Sequence, residues 1–353
     1  MEERILMKGN EALAEAAIQA GCRFFFGYPI TPQTEVAAYM AKRMPQVDGT
    51  YLQAESEIAA ANMLLGAAGA GVRAMTSSSS PGISLKSEAI SYMAGCDIPA
   101  LIVNVQRGGP GLGGIQPSQS DYWQATKATG HGDFQILVFA PATIQEMVDL
   151  VGLAFDKGDQ YRIPAMILAD GMLGQMMEPV KLPESTNPKS FDKPWACCGH
   201  QNKREHNVLN SLFLTPSDLE ALVIERYKRY DIIKENEQRW DEYLTEDADI
   251  VLVAYGASAR VSHTAVDMAR KQGIKAGLLR PITLWPYPTK AFEILKDTAK
   301  AFISVEMSMG QMVDDVKLAV ECKKPVSFVG RTGGKIPTPG EVFDKIVEVG
   351  GSC

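Results

Sequence analysis

The 353-residue chain is 46% hydrophobic and 22% charged, with a formal net charge of −7. That is the composition of a globular protein long enough for more than one domain. The acidic balance excludes the basic face of a nucleic-acid binder. No apolar run approaches the ~20 residues a membrane helix needs, and the Glu-rich start lacks the apolar core of a secretion signal. A cytoplasmic location is therefore expected. The six cysteines, at 22, 96, 197, 198, 322 and 353, form no disulfide framework and no Cys-x-x-Cys pair. Any iron–sulfur cluster in the reaction would have to sit on another chain.

The first 175 or so residues alternate strand and helix. Asn10 is positioned to cap a helix running to Gly21, followed by an apolar strand at 22–26. A turn at 28–32 leads to a helix ending before Pro45. Strand 50–53 precedes an Ala-rich helix at 56–70. Strand 72–76, a helix opened by Pro81, strand 100–105, helix 119–127, strand 135–139, helix 143–157 and strand 164–169 follow. Short apolar strands between amphipathic helices predict a parallel sheet covered on both faces. Residues 181–204 are rich in Pro, Asn, Ser and Lys and read as an excursion. Thr215 and Ser217 can cap a charged, solvent-exposed helical arm reaching Asp241. A second unit with four predicted strands starts at Asp249, with strands at 250–254, 274–279, 301–306 and 325–329. Helices are expected at 260–272, 289–298, 310–322 and from Pro339 onward. The expected fold class is thus α/β, with two doubly wound parallel-sheet domains. The segments are 1–178, a linker arm at 179–247, and 248–353.

In parallel sheets ligands bind at the carboxyl ends of strands, so the turns there are the candidate sites. Tyr28-Pro29-Ile30-Thr31-Pro32 is stiffened by its prolines and presents a phenol and a hydroxyl. An ordinary turn with Thr31 as helix cap reads equally well. Glu55 and Glu57 stand at a helix start, where carboxylates complement the dipole. Glu57 also heads a face of small residues, and close packing there would desolvate it and suit it to proton work. The run Ser77-Ser78-Ser79-Ser80-Pro81-Gly82 offers hydroxyls and free N–H groups to an anion or polar heterocycle, or is a plain turn with Ser80 as cap.

Gly109, Gly111 and Gly114 satisfy the G-x-G-x-x-G dinucleotide pattern. The loop continues through Ile115–Pro117 where a helix should start, and no acidic residue follows at the required distance. A mobile glycine loop beside Arg107 fits better, leaving the guanidinium free to pair with a substrate carboxylate; a surface arginine on a flexible loop is the alternative. Cys197, Cys198 and His200 are close in sequence, but adjacent cysteines ligate one metal poorly, and no metal ligands are assigned. The loop 280–288, with Pro281, Trp285, Pro286, Tyr287 and Pro288, is rigid and aromatic and reads as interface.

Together the Tyr28–Pro32 turn, the Glu55-Ser56-Glu57-Ile58-Ala59 helix start, the Ser-Ser-Pro-Gly turn and the 280–286 loop resemble the alpha subunit of 2-oxoacid:ferredoxin oxidoreductases. Ser78–Pro81, Gly109–Gly114 and the run from Gln116 to Asp121 are most similar to the branched-chain, 2-oxoisovalerate type. The resemblance implies a thiamin diphosphate pyrimidine-binding domain followed by a transketolase C-terminal-like domain. The implied chemistry is coenzyme A-dependent oxidative decarboxylation of a 2-oxoacid. It also implies that Glu57 holds the aminopyrimidine ring, and that Tyr28, Ile30, Ser80, Pro81 and Gly82 line the cofactor. Thr31 and Arg107 would hold the substrate, with Tyr28 beside them. The diphosphate and Mg²⁺ would lie on a beta subunit. Iron–sulfur clusters would lie on partners, namely gamma and ferredoxin-like delta subunits, with ferredoxin as acceptor. Two other readings are a nicotinamide-dependent oxidoreductase using the glycine loop, and a non-catalytic scaffold subunit. Intact Thr31, Glu57 and Arg107 weigh against the scaffold, which needs none of them.

Overall fold

A computed structural model describes residues 4–127, 129–183 and 188–351. In the first half the elements are β1 (Ile5–Lys8), α1 (Gly9–Gln19), β2 (Phe24–Gly27), α2 (Thr34–Arg43), β3 (Thr50–Gln53), α3 (Glu57–Gly69), β4 (Ala74–Ser78) and α4 (Pro81–Gly95). They continue with β5 (Leu101–Gln106), α5 (Tyr122–Thr126), β6 (Leu137–Phe139), α6 (Ile144–Tyr161), β7 (Ala165–Asp170), α7 (Gly171–Gln175) and β8 (Met177–Val180). Beyond them lie α8 (Pro216–Asn236), β9 (Trp240–Tyr243), β10 (Ile250–Val253), α9 (Gly256–Lys271), β11 (Ala276–Pro281), β12 (Thr283–Trp285), α10 (Phe292–Thr298), β13 (Ala301–Glu306), α11 (Met312–Ala319), β14 (Val326–Gly330) and α12 (Pro339–Gly350).

The large sheet has the order β12-β6-β7-β5-β4-β2-β3. Every pairing among β2 to β7 in it is parallel. Strands β4, β5 and β7 are buried along their whole length, which is why their N-terminal halves read as apolar runs rather than alternating ones, while polar Ser77, Ser78, Asn104, Gln106 and Asp170 gather toward their carboxyl ends. The second sheet has the order β14-β13-β10-β11-β9. Thr143 caps α6 by accepting from Glu146 N, and Thr338 and Glu341 close a reciprocal capping box on α12.

Several local expectations fail for identifiable reasons. The second sheet has five strands instead of four, because Trp240–Tyr243 adds an antiparallel edge against β11. Asn10 does not cap α1: it lies inside the first turn, and its Nδ2 donates to Pro32 O at 2.7 Å and to Glu35 Oε2 at 3.0 Å. Thr215 occupies the cap position of α8 without a side-chain bond. The 280–288 loop is an interface, but an internal one. Thr283–Trp285 forms β12, antiparallel to β6, so residues just past β11 of the second sheet complete the edge of the first. Leu284 and Trp285 are buried there.

The two sheets are further locked at Gln119. Its side chain donates to Tyr255 O at 2.8 Å and accepts from Ser258 Oγ at 2.6 Å and from Met307 N at 3.0 Å. Its backbone N donates to Met307 O at 2.9 Å, and its carbonyl accepts from Tyr255 Oη at 3.2 Å.

Candidate active site

Parallel strands bring their carboxyl ends to one edge of the large sheet. The turns after β2, β3, β4 and β5 therefore converge, as the topology rule requires. Glu57 is the first residue of α3 and is buried. Ser56 caps that helix by accepting from Ala59 N at 3.2 Å, which fixes the direction in which Glu57 leaves the backbone.

Against Glu57 lies the start of α4. A Cβ built on Gly82 would stand 3.0 Å from Glu57 Oε1 and would collide with Ser78 Oγ. The carboxylate and the Ser78 hydroxyl thus share one small space that glycine alone leaves open. The buried hydroxyls of Ser78 and Ser79 have no hydrogen-bond partner among the described residues. Buried polar atoms are ordinarily paired, so these orphans, beside a carboxylate and a glycine cradle, fit a polar heterocycle such as an aminopyrimidine.

Ser80 is more than a helix cap. It precedes α4 with a φ of 26° and makes no capping bond; non-glycine residues rarely adopt such a backbone. Its Oγ donates to Asp121 Oδ2 at 2.6 Å and accepts from Arg107 N at 3.0 Å, while Asn104 Oδ1 accepts its backbone N–H at 3.2 Å. Asn104 Nδ2 also donates to Asp121 Oδ2 at 2.9 Å. Burial pushes the Asp121 carboxyl above its ordinary range against these hydrogen bonds and the nearby Arg107 charge. The network ties the serine turn to the root of the glycine loop.

The Tyr28–Pro32 turn is held by its carbonyls. Gln33 donates its side-chain amide to Tyr28 O at 3.1 Å and its backbone N–H to Ile30 O at 3.0 Å. Ser77 Oγ in turn donates to Gln33 Oε1 at 2.5 Å. Pro32 O accepts from Asn10 and from Gln175 Nε2 at 2.9 Å. Thr31 O accepts from Arg107 Nη1 at 3.0 Å. With the backbone pinned from four directions, Thr31 stands exposed and Tyr28 and Ile30 half-buried. Thr31 does not cap α2, which starts at Thr34.

Arg107 corrects an expectation. It is buried, and its guanidinium is already engaged: Nη1 on Thr31 O, and Nη2 on Leu112 O at 3.2 Å at the tip of the glycine loop. Nε is buried without a partner among the described residues. The loop folds over the arginine, and Leu112 at its tip is 83% exposed. The unpartnered Nε and the remaining Nη hydrogens leave donors for a substrate carboxylate once the loop opens a path to them.

Two residues that the motifs did not reveal belong to this site. Asn104, on the fully buried strand β5, orients both Ser80 and Asp121. Lys86, on α4, is entirely buried, with Nζ donating to Glu57 O at 3.3 Å and to Thr76 Oγ1 at 3.0 Å. The signal for Lys86 was present as a cation inside the apolar stripe of Ile83, Ile90 and Met93. Elsewhere, a cleft of about 330 Å³ is bordered by Tyr243, Arg260, His263 and Arg280. Its cations are already paired, Arg260 with Glu178 at 2.9 Å and Arg280 with Glu146 at 2.8 Å, so it offers less to an anion than its lining suggests. Among the described residues no cluster of three metal-ligating side chains occurs, and no helix is long and apolar enough to cross a membrane.

Known proteins share the sequence and fold of this chain. Residues 15–237 match the family model "Pyruvate flavodoxin/ferredoxin oxidoreductase, thiamine diP-bdg", and residues 248–342 match "Pyruvate:ferredoxin oxidoreductase core domain II". Over 346 residues the chain is 48% identical to ketoisovalerate oxidoreductase subunit VorB of Methanothermobacter thermautotrophicus, covering 98% of each. Its fold superposes with a TM-score of 0.89 and 26% identity on a 2-oxoglutarate:ferredoxin oxidoreductase from Magnetococcus marinus, solved with 2-oxoglutarate, coenzyme A and succinyl-CoA bound. That match covers 98% of this chain and 65% of the other. A split-gene transketolase shares the fold alone, with a TM-score of 0.59 and 14% identity over 97% of both chains. The chain belongs to the 2-oxoacid:ferredoxin oxidoreductases, as a thiamin diphosphate-binding subunit of an enzyme that works with partner subunits.

Proposed function

We propose that the chain carries the pyrimidine half of a shared thiamin diphosphate site and acts on a branched-chain 2-oxoacid, converting it to an acyl-coenzyme A and CO₂. The observation that carries the cofactor half is the space shared by Glu57, Ser78 and Gly82. When bound, thiamin diphosphate supplies the carbon nucleophile and the electron sink. Glu57 holds and exchanges a proton at its Oε1, Gly82 leaves room for the ring, and the serine turn of Ser80 and Pro81 lines it. Tyr28 and Ile30 are assigned to line the same cofactor. Thr31 and Arg107 orient the substrate's carboxylate and keto oxygen.

Across the four turns Arg107 is the single cationic side chain. One cation suits a monoanionic oxoacid with an apolar tail, and the 48% identity to a ketoisovalerate oxidoreductase subunit points the same way. The diphosphate and Mg²⁺ are assigned to a beta subunit, and iron–sulfur clusters and electron delivery to ferredoxin to gamma and delta subunits. The complex works in the cytoplasm. Within this chain, 1–178 binds the cofactor, 179–247 is an arm, and 248–353 serves assembly.

The test is the complex purified from its native source. It is assayed with 2-oxoisovalerate, 2-oxoglutarate, pyruvate and indolepyruvate, together with coenzyme A and a viologen dye. Thiamin-dependent dye reduction fastest with 2-oxoisovalerate supports the proposal. Preference for another oxoacid discards the substrate assignment and keeps the mechanism. Absence of turnover from a complex loaded with clusters and thiamin diphosphate shifts the weight to a scaffold role.

A further inference from the structure

Lys86 is a fully buried ammonium for which the chemistry above has no use. It stands one turn after Gly82 on α4, so both face the start of α3. Its two hydrogen-bond acceptors are neutral: the backbone carbonyl of Glu57 and the hydroxyl of Thr76, whose own proton goes to Phe26 O at 2.6 Å. An ammonium stripped of water is costly unless an opposite charge lies near. The elements around it supply one such charge. Glu57 is the single ionisable side chain on α3, β2 and β4 carry none, and Glu88 on α4 itself is exposed and bonded to Tyr92.

We propose that Lys86 is a positioning residue, anchoring the backbone of Glu57 and supplying a counter-charge beside the carboxyl through which Glu57 exchanges its proton when the partner subunit and cofactor close the site. This rests on the reading of Glu57 as the catalytic carboxylate. Burial brings the Lys86 ammonium down to about 8, against the opposing pull of Glu57. It is therefore charged at neutral pH and loses its proton in the mildly alkaline range. A carboxylate deprived of this neighbour holds its proton more tightly.

The test uses the assembled complex carrying Lys86→Met, matched in length and apolar, or Lys86→Gln, which can still donate to Glu57 O and Thr76 without a charge. Two quantities are followed from about pH 6 to about pH 9.5: kcat/KM for dye reduction, and the affinity for thiamin diphosphate by calorimetry. Both variants are expected to move the acid limb of kcat/KM upward by roughly one pH unit and to lower turnover at neutral pH on the order of 10-fold. Wild type should change its cofactor affinity near the Lys86 transition, and both variants should abolish that change. A Lys86→Gln complex with the wild-type profile and affinity overturns the counter-charge role. So does a uniform loss in Lys86→Met with unchanged pH dependence. Glu57→Gln is run in parallel: full turnover there removes the underlying reading of Glu57. An inactive Glu57→Gln beside unshifted Lys86 profiles removes the Lys86 role alone.

Discussion

Gly82 and Glu57 approach so closely that a methyl group at position 82 would stand 3.0 Å from the Glu57 carboxylate while colliding with Ser78 Oγ. Gly82→Ala must therefore displace the start of α4, the serine or the carboxylate. Misplacing a catalytic group by about 1 Å costs on the order of 100-fold. We expect Gly82→Ala to lower kcat by roughly 10- to 100-fold while circular dichroism and subunit assembly stay as in wild type. A variant with unaltered kcat would mean that the shared space is not the reacting one.

Replacing Glu57 by Gln keeps its volume and removes the exchangeable proton. Oxidative decarboxylation in the complex should fall by at least ~100-fold, with the complex still assembling. Dye reduction at the wild-type rate would exclude Glu57 from the mechanism.

Arg107 carries a structural role beside the proposed substrate role, because its guanidinium holds Thr31 O and the loop tip at Leu112 O. Arg107→Ala should raise KM for the oxoacid and reduce kcat/KM by about 2–5 kcal/mol. Arg107→Lys should recover little of this, since an ammonium cannot span both carbonyls as a planar fork. Steady-state kinetics with varied oxoacid decide the matter; an unchanged KM in Arg107→Ala would show that the arginine never meets substrate.

Gln119 makes three side-chain hydrogen bonds between the two sheets, to Tyr255, Ser258 and Met307. Gln119→Ala leaves buried groups unpaired on the other side. It should cost about 2–4 kcal/mol, read as a lowered melting temperature of the complex. A melting curve that matches wild type would mean that the Gln119 side chain is dispensable to the seam.

The buried Lys86 also makes a stability prediction with a definite sign. Its folded-state value of about 8 lies below the ordinary lysine value of 10.5. Between the two, the unfolded chain holds a proton that the folded chain has lost, so stability from this group rises with pH across that window. Relative to Lys86→Met, wild type should gain up to about 3 kcal/mol over it. Denaturation of both proteins across the alkaline range tests this, and parallel curves would contradict the burial of the charge.

The alternation of apolar strands and amphipathic helices was legible in the chain because buried parallel strands are mostly apolar and helices must turn one face inward. The predicted strand at 301–306 coincides with Ala301–Glu306, and Pro81 and Pro339 open their helices as N-terminal prolines should. The turns holding Thr31, Glu57, Ser80, Gly82 and Arg107 were legible too, since strand order in a parallel sheet sends their ends to one edge.

What remained hidden depends on partners far away in sequence. The β9 and β12 edges exist because other strands offer free edges to them, which no local pattern announces. Asn10 and Ser80 look like helix caps, but their side chains turn to Glu35 and Asp121, which the fold brings within reach. Arg107 reads as free on a loop, yet two distant carbonyls claim it. Lys86 reads as one more helix cation, and only the packing of α4 on α3 seals it beside Glu57. The sequence by itself determined the layers and the turns that hold the candidate site, because hydrophobic period and turn chemistry are local. The tertiary structure decided which polar groups meet, because desolvation makes a buried donor take whatever acceptor the packing provides.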